Sequence, residues 1–213
     1  MKCPLCQSAD TTLLLEPRHQ GRQFSLCHHC GLSFVPEKFH LSEPLERARY
    51  ETHENHPEDP HYRKFFLAFV EALVPRLRPG SVGLDFGAGP GPALAAMLQE
   101  RGFRVSLYDK YFHPNGDVLK TTYDFITCTE TAEHFRKPRN EFEKFQTLLS
   151  PGGWLGLMTG RLPQGKTFAE WHYPKDPTHI AFYEMKTLQW IAQAFNWAVE
   201  FPAPNVALFQ KPI

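Results

Sequence analysis

The sequence predicts a doubly wound α/β fold, with a mostly parallel sheet and a small cysteine-rich module ahead of it. Strand and helix patterns alternate from about residue 61 to the end of the chain. Alternating units of this kind build parallel sheets with helices on both faces. Four of the five cysteines form two Cys-x-x-Cys pairs before residue 31, which predicts the separate module.

Length and composition limit the class of protein. A chain of 213 residues with 42% hydrophobic residues suits one medium domain plus an appendage. Lys+Arg and Asp+Glu number 23 each, so the net charge of zero gives no electrostatic footprint for nucleic acid or a membrane surface. No apolar run approaches the roughly 18 residues of a membrane span, and no signal peptide follows Met1. We therefore expect a cytoplasmic protein.

We divide the chain into a cysteine module (1–40), a linker rich in Pro, Glu and His (41–60) and an α/β domain (61–213). Asp59 and Pro60 are suited to start the first helix of that domain. The patterns then predict further helices over 93–101, 138–149 and 185–195, and strands over 82–86, 104–108, 123–129, 154–158, 197–201 and 206–211. The last two strands are close enough in sequence to pair antiparallel.

A glycine-rich turn, residues 87–91, lies between a buried strand and a helix. Glycines let the backbone turn tightly and let a ligand approach the main chain. Asp109 ends the next strand, where its carboxylate can accept hydrogen bonds from ribose hydroxyls. A dinucleotide site would have a small residue where this chain has Pro92, so the pattern favours adenosylmethionine over a dinucleotide. The remaining alternative is an ordinary tight turn with a solvated acid.

Four segments together resemble the motifs of class I S-adenosylmethionine-dependent methyltransferases: 84–91, Asp109, 124–134 and 148–154. With the cysteine pairs, the chain is similar to small bacterial methyltransferases of unassigned substrate. It is more loosely similar to sugar C-methyltransferases that open with a zinc domain. The resemblance implies a Rossmann-like sheet, S-adenosylmethionine as cofactor and methyl transfer.

Carried over by position, the resemblance implies the cofactor-binding residues Asp85, Gly87, Gly89, Gly91, Asp109, Thr129 and Glu130. One segment departs from the family pattern, because only residues 110–123 separate Asp109 from the next strand motif. A helical crossover needs at least roughly 10–12 residues before the strand itself is counted. We therefore predict an abbreviated or missing third strand, which leaves Asp117 as the one candidate acid for the adenine.

The two cysteine pairs predict a metal site. Cys3 and Cys6 are separated by 20 residues from Cys27 and Cys30, and two such thiolate pairs can close a tetrahedral zinc site. Four sulfur ligands leave no open position, so the zinc is expected to be structural. His28 and His29 are alternative ligands, and four unrelated reduced thiols are the alternative to a metal site.

The segment 171–183 follows the strand predicted over 154–158, which places it over the carboxyl ends of the sheet. Loops there carry function more often than packing. A base assists methyl transfer to a hydroxyl, an amine or an acidic carbon, and imidazole suits that role. In order of preference the candidate bases are His179, His134 and His172, with Glu133 and Asp176 as orienting groups or alternative bases. Trp171 and Tyr173 are candidates to stack on the acceptor, and His53, His56 and His61 are weaker candidate bases.

The sequence therefore predicts a methyltransferase that acts on a small molecule. One alternative is an RNA or protein methyltransferase that holds its substrate with the cysteine module, although basic residues are few there: Lys2, Arg18, Arg22 and Lys38. Another is a scaffold that binds the cofactor without turnover. The acceptor and the oligomeric state are not predicted.

Overall fold

The computed structural model describes residues 1–14, 22–52 and 56–213. In chain order its strands are β1 (Thr11–Leu14), β2 (Phe24–Cys27), β3 (Ser33–Phe34), β4 (Val82–Phe86), β5 (Arg104–Tyr108), β6 (Tyr123–Thr129), β7 (Leu149–Met158), β8 (Ala181–Phe182), β9 (Ala198–Ala203) and β10 (Val206–Gln210). Its α-helices are α1 (Glu43–Tyr50), α2 (Pro60–Leu73), α3 (Ala93–Gln99), α4 (Pro138–Leu148) and α5 (Met185–Phe195).

Six strands form one sheet in the order β5-β4-β6-β7-β10-β9. The strands β4, β5, β6 and β7 pair in parallel, whereas β10 runs antiparallel to β7 and β9. This confirms the predicted doubly wound sheet with an antiparallel end. The chain passes from β5 on one side of β4 to β6 on the other. Ligand crevices form beyond the carboxyl ends of the strands at such a switch point.

Helices cover both faces of the sheet because successive strand residues point to opposite sides. Phe125 of β6 packs in the cluster that contains Phe69 of α2. Its neighbour Ile126 packs in the opposite cluster, with Phe145 of α4 and Ile191 of α5. The two apolar layers fix β6, and therefore the residues that follow it, in the middle of the domain.

The helix α2 begins as predicted, since the Asp59 carboxylate accepts a hydrogen bond from the His61 backbone N–H at 2.8 Å. It ends at Leu73 and passes into a single 3₁₀ turn, Val74–Arg76, earlier than the predicted stop at Pro79. Pro75 explains this end, because proline lacks the N–H that would continue the helix and its ring clashes with the preceding turn.

The predicted loss of the third strand is confirmed. Residues 109–122, all of which the structure describes, add no strand to the sheet and contain a 3₁₀ turn at Gly116–Lys120. A single bridge joins Asp109 to His113. The strand β5 is therefore the edge of the sheet, and the surface beside it is open where the family normally places another strand.

The cysteine-rich segment forms a second, antiparallel sheet in the order β1-β2-β3-β8. Its last strand comes from residues 181–182, far along the chain, and pairs with β3 through Ser33↔Phe182 and Phe34↔Ala181. The module is thus joined by backbone pairing to the segment that follows β7.

The segment 41–60, interpreted from sequence as a linker, contains the helix α1. Ser42 is its N-cap and Pro44 lies in its first turn. Within the described ranges, no helix is long and apolar enough to cross a bilayer.

Candidate active site

A cavity of about 590 Å³ opens beyond the carboxyl ends of β4, β5 and β6. Its walls also include side chains of α1 and α2 and the segment after β6. All seven residues predicted to bind the cofactor line it: Asp85, Gly87, Gly89, Gly91, Asp109, Thr129 and Glu130. Two of the three candidate bases, His134 and His179, line the same cavity.

The glycine turn is fastened to the end of β5. The backbone N–H groups of Gly87 and Ala88 donate to the Tyr108 carbonyl oxygen at 2.8 and 3.2 Å. Gly87 and Gly89 have φ values of +81° and +63°, in the left-handed region that L side chains rarely adopt. The glycines of the turn line the cavity, and because they have no side chains, their main chain faces the space for a ligand.

Asp109 is held by backbone amides. Its Oδ1 accepts hydrogen bonds from the N–H groups of Tyr111 and Phe112 at 2.8 and 3.0 Å. Its Oδ2 accepts one from the Gly89 N–H at 3.1 Å. These hydrogen bonds fix the carboxylate between the glycine turn and the segment that follows β5. Asp109 lines the cavity from this position.

Asp85 lies beneath the glycine turn and is only 3% exposed. Burial raises its pKa to about 6, although a hydrogen bond from the Thr127 hydroxyl at 2.7 Å lowers it in part. A buried carboxyl at the floor of the cavity is a suitable partner for a cationic ligand group.

Glu130 follows β6 and has a φ of +47°, an uncommon conformation for a residue other than glycine. Burial, together with the nearby Glu133 carboxylate, raises the pKa of Glu130 above its ordinary value. Strained residues of this kind cluster at functional sites. Glu130 therefore brings a strained backbone and a carboxyl group with a raised pKa to the wall of the cavity.

The rings of His134 and His179 lie 4.9 Å apart and meet edge to face. His134 Nδ1 lies 3.0 Å from the Thr178 carbonyl oxygen, and His179 Nδ1 lies 2.8 Å from that of Tyr173. An imidazole nitrogen that faces a carbonyl oxygen carries the proton, which leaves Nε2 of each ring as the acceptor. Burial lowers the pKa of His179, so this ring is neutral at pH 7.

Glu133 is fully buried and contributes to the cavity wall together with the two histidines. Its Oε2 accepts a hydrogen bond from the Thr159 hydroxyl at 2.9 Å, and its Oε1 accepts one from the Tyr173 hydroxyl. One oxygen of the Glu133 carboxylate and one nitrogen of each imidazole all lie within 4.8 Å of one another. Both carboxylate oxygens of Glu133 thus accept hydroxyl hydrogens. Glu133 holds the hydroxyl of Tyr173, the residue whose carbonyl oxygen meets His179 Nδ1.

A wall of the cavity that the sequence analysis missed is the helix α1. Its Glu46, with a side chain 6% exposed, pairs with Lys110 Nζ at 2.9 Å and Arg136 Nη2 at 2.8 Å. Burial raises the Glu46 pKa, but hydrogen bonds from these two cations outweigh burial and lower it. The pairs fasten α1 to the segments after β5 and β6. Tyr50 of α1 meets the His134 ring at 5.2 Å.

Several other predicted residues lie elsewhere. His172 is exposed and does not line the cavity, and Asp117 is an exposed partner of Lys120. Trp171 is buried and stacks on Tyr173 with ring centroids 5.1 Å apart. These two rings, predicted to stack on the acceptor, thus stack on each other. His56 and His61 are exposed outside the cavity lining. His53 and Arg18 lie outside the described residues.

The four predicted metal ligands come together at one end of the small sheet. Cys3 and Cys30 Sγ atoms are 3.6 Å apart, and Cys6 and Cys27 Sγ atoms are 3.4 Å apart. All four Sγ atoms lie within 4.8 Å of one another. A tetrahedron with zinc–sulfur bonds of about 2.3 Å has sulfur–sulfur edges of about 3.8 Å. The sulfur positions therefore fit a single zinc ion, with little movement required.

The parallel sheet, the glycine turn and the carboxylate at the end of the next strand define an α/β enzyme of the S-adenosylmethionine-dependent methyltransferase class. Residues 59–200, about two thirds of the chain, match the sequence profile of the methyltransferase domain family. The chain belongs to that family.

Two curated relatives match part of the chain. Ubiquinone biosynthesis O-methyltransferase from Pectobacterium atrosepticum is 30% identical over 77 residues, which are 36% of this chain and 32% of that protein. The enzyme of the same name from Erwinia tasmaniensis is 31% identical over 71 residues, 33% of this chain and 29% of that protein. The matched segment spans about a third of the length of each relative.

Solved structures share the fold at low sequence identity. The 1,6-didemethyltoxoflavin-N1-methyltransferase of Burkholderia thailandensis aligns with a TM-score of 0.52 and 16% identity, over 85% of this chain and 96% of that one. An O-methyltransferase family protein from the same organism aligns with a TM-score of 0.52 and 15% identity, over 78% of this chain and 63% of that one. Both likenesses concern the fold alone.

Proposed function

We propose that this enzyme transfers a methyl group from S-adenosylmethionine to a hydroxyl group of a small organic acceptor bound between α1 and the segment 171–183. The observation that carries the proposal is the position of His134 and His179. Both imidazoles line the same cavity as the glycine turn and Asp109. The two curated relatives are O-methyltransferases by name, which supports an oxygen acceptor.

The cofactor end of the cavity would lie against the glycine turn. Asp109 would accept hydrogen bonds from the ribose hydroxyls, because its carboxylate is already aimed at the cavity by three backbone amides. Asp85 would lie near the cationic part of the cofactor. Tyr111 and Phe112, which follow Asp109 in the lining, would give the adenine an apolar wall in place of the missing third strand.

Asp109→Ala should weaken the binding of S-adenosylhomocysteine about a hundredfold. Each hydrogen bond from a neutral donor to a carboxylate contributes about 1.5–3 kcal/mol, and the substitution removes those to the ribose. Titration calorimetry measures the change in Kd. Glu143→Ala, which removes an exposed acid of α4, is the control and should bind as the wild type does. An unchanged Kd in Asp109→Ala would show that the ribose lies elsewhere.

S-adenosylmethionine supplies an electrophilic methyl group on a sulfonium. The chain has to align the acceptor in line with that methyl group, exclude water and remove one proton. With the cofactor bound, His179 Nε2 would accept the proton of the acceptor hydroxyl as the methyl group passes from sulfur to the acceptor oxygen. The Nδ1 hydrogen bond to the Tyr173 carbonyl keeps His179 in the tautomer that can accept it.

His179→Gln should lower kcat about a hundredfold and leave the Kd for S-adenosylhomocysteine within twofold of the wild-type value, since a positioned base contributes about 10²–10⁴ in rate. Transfer of radiolabelled methyl to catechol, an acceptor with neighbouring ring hydroxyls, measures kcat. His172→Gln is the matched control, because His172 lies outside the cavity lining. Equal rates for the two variants would contradict the assignment of His179 as base.

We further infer that Cys3, Cys6, Cys27 and Cys30 hold a structural zinc ion and that residues 1–40 act as a zinc-binding module on the catalytic domain, 61–213. The sulfur–sulfur distances of 3.4 and 3.6 Å support this inference. Four thiolates leave no position open for an acceptor, so the metal would stabilise the module and take no part in the methyl transfer.

A further inference from the structure

Arg22 of the cysteine module reaches the segment that carries His179. Its Nη1 donates hydrogen bonds to the carbonyl oxygens of Pro174 and Asp176 at 3.0 and 2.8 Å. Its Nη2 donates to the carbonyl oxygen of His179 at 2.6 Å. One guanidinium thus gathers three carbonyls from six consecutive residues, and these partners lie about 150 positions away in the chain.

The surroundings of Arg22 favour arginine over lysine. The guanidinium carbon lies 5.4 Å from the centre of the Phe24 ring, and burial lowers the Arg22 pKa, with the Asp176 charge opposing that effect. A planar fork with fixed N–H directions can serve three carbonyls at once, whereas an ammonium is a compact point charge on a flexible stem. The carbonyl dipoles replace part of the water that the half-buried cation has lost.

We propose that Arg22 is the positioning residue for His179, and that the cysteine module acts on methyl transfer through this contact. The inference rests on the proposed function, in which His179 is the base. Arg22 does not line the cavity and holds only backbone atoms of the segment. Its effect on the reaction therefore passes through the place and the surroundings of His179.

Two further contacts join the same two parts of the chain. The backbone N–H of Val35 donates to the Ile180 carbonyl oxygen at 2.8 Å, directly after His179. Phe24, Val35, Ile180 and Phe182 share one buried apolar cluster. Backbone pairing and packing thus fix the segment on one side of His179, and Arg22 fixes it at His179 and on the other side.

The pKa of His179 reports this positioning. Burial lowers it and the His134 ring adds to the effect, while the Glu133 and Asp176 carboxylates and the Tyr173 carbonyl raise it. If the segment loosens, His179 gains water and its pKa rises toward the ordinary value of about 6.5. A base acts only when neutral, so the acid limb of the rate profile would then move to higher pH.

The experiment compares Arg22→Lys and Arg22→Met with the wild-type full chain loaded with zinc. Hydrogen exchange measured by mass spectrometry should show protection of residues 174–180 at least tenfold lower in both variants. Histidine NMR titration should show a higher His179 pKa, and kcat with catechol should fall about tenfold. The Kd for S-adenosylhomocysteine should stay within twofold, because Arg22 does not line the cavity that contains the glycine turn and Asp109.

Arg139→Lys is the matched control, since this arginine makes an exposed pair with Glu143 on α4. It should match the wild type in every readout. Zinc content and the melting temperature identify a variant that has lost the module. Arg22→Lys retains the charge and the long side chain, so it tests positioning even if Arg22→Met does not fold.

The outcomes separate the two proposals. Unchanged protection and an unchanged His179 pKa in a folded, zinc-loaded Arg22→Lys protein would overturn the positioning role, whatever the turnover. Lower protection and a higher His179 pKa, with kcat unchanged, would retain Arg22 as the anchor of the segment and refute His179 as base. Lower protection with a lower kcat and a shifted acid limb would support both.

Discussion

Cys30→Ser is expected to abolish zinc binding and to unfold the cysteine module. Structural zinc sites contribute about 10–16 kcal/mol of apparent binding free energy at neutral pH, more than a segment of forty residues can replace by packing. Cys30 is fully buried, and its Sγ lies 3.6 Å from Cys3 Sγ. A serine there lacks the thiolate and would remove one of the four proposed ligands. Metal analysis should give about one zinc per wild-type chain and much less in the variant.

Unfolding of the cysteine module in Cys30→Ser should also disturb the active site, because β3 of the module pairs with β8, close to His179 in the chain. We expect faster hydrogen exchange over residues 174–183 and loss of methyl transfer, with exchange at the glycine turn little changed. Cys128→Ala is the control, because Cys128 is buried in β6 and is not part of the sulfur cluster. One equivalent of zinc in purified Cys30→Ser would contradict a site made of these four sulfurs.

Gly87→Ala is expected to reduce cofactor binding below detection. A Cβ at this position would lie 2.3 Å from both Cγ2 and Oγ1 of Thr131, and the φ of +81° is unfavourable for alanine. The left-handed conformation costs about 1–2 kcal/mol, and the collision forces the turn or the segment after β6 to move. Either movement displaces main chain that faces the cavity. Calorimetry with S-adenosylhomocysteine measures the loss.

Gly102→Ala separates the effect of the left-handed backbone conformation from the effect of the collision with Thr131. Gly102 has a φ of +87° and no atom within 4 Å of the added Cβ, so this variant carries the conformational strain without the collision. It should lower the melting temperature by a few degrees and bind the cofactor as the wild type does. If Gly87→Ala also binds normally, the glycine turn does not contact the cofactor.

Much of the fold followed from local sequence signals. The strands β4, β5 and β6 have the predicted bounds, because each is a short apolar run between turn residues. The abbreviated or missing third strand was predicted because the segment 110–123 is too short for the helix and strand of the family pattern. The helix α1 was missed, although Ser42 as N-cap and Pro44 in the first turn are a start signal, because a short polar helix has little apolar periodicity.

The pairing of β3 with β8 had no signal that sequence reasoning can use. A strand of two residues has no pattern, and its partner lies about 150 positions away. The same holds for Arg22, whose partners are backbone carbonyls and so place no constraint on residue type. Tertiary contacts decide such features. Tertiary contacts also determine which histidine of the segment 171–183 reaches the cavity: His179 lines it and His172 does not.

The nucleoside of S-adenosylmethionine is expected to bind in the cavity that the glycine turn and Asp109 line. Calorimetric titration of the wild-type chain with S-adenosylhomocysteine, alongside NAD⁺, tests it most directly. We predict one site per chain for S-adenosylhomocysteine, with a Kd on the order of micromolar to tens of micromolar, as for typical enzyme ligands, and no heat with NAD⁺. Binding of NAD⁺ with none of S-adenosylhomocysteine would contradict the account.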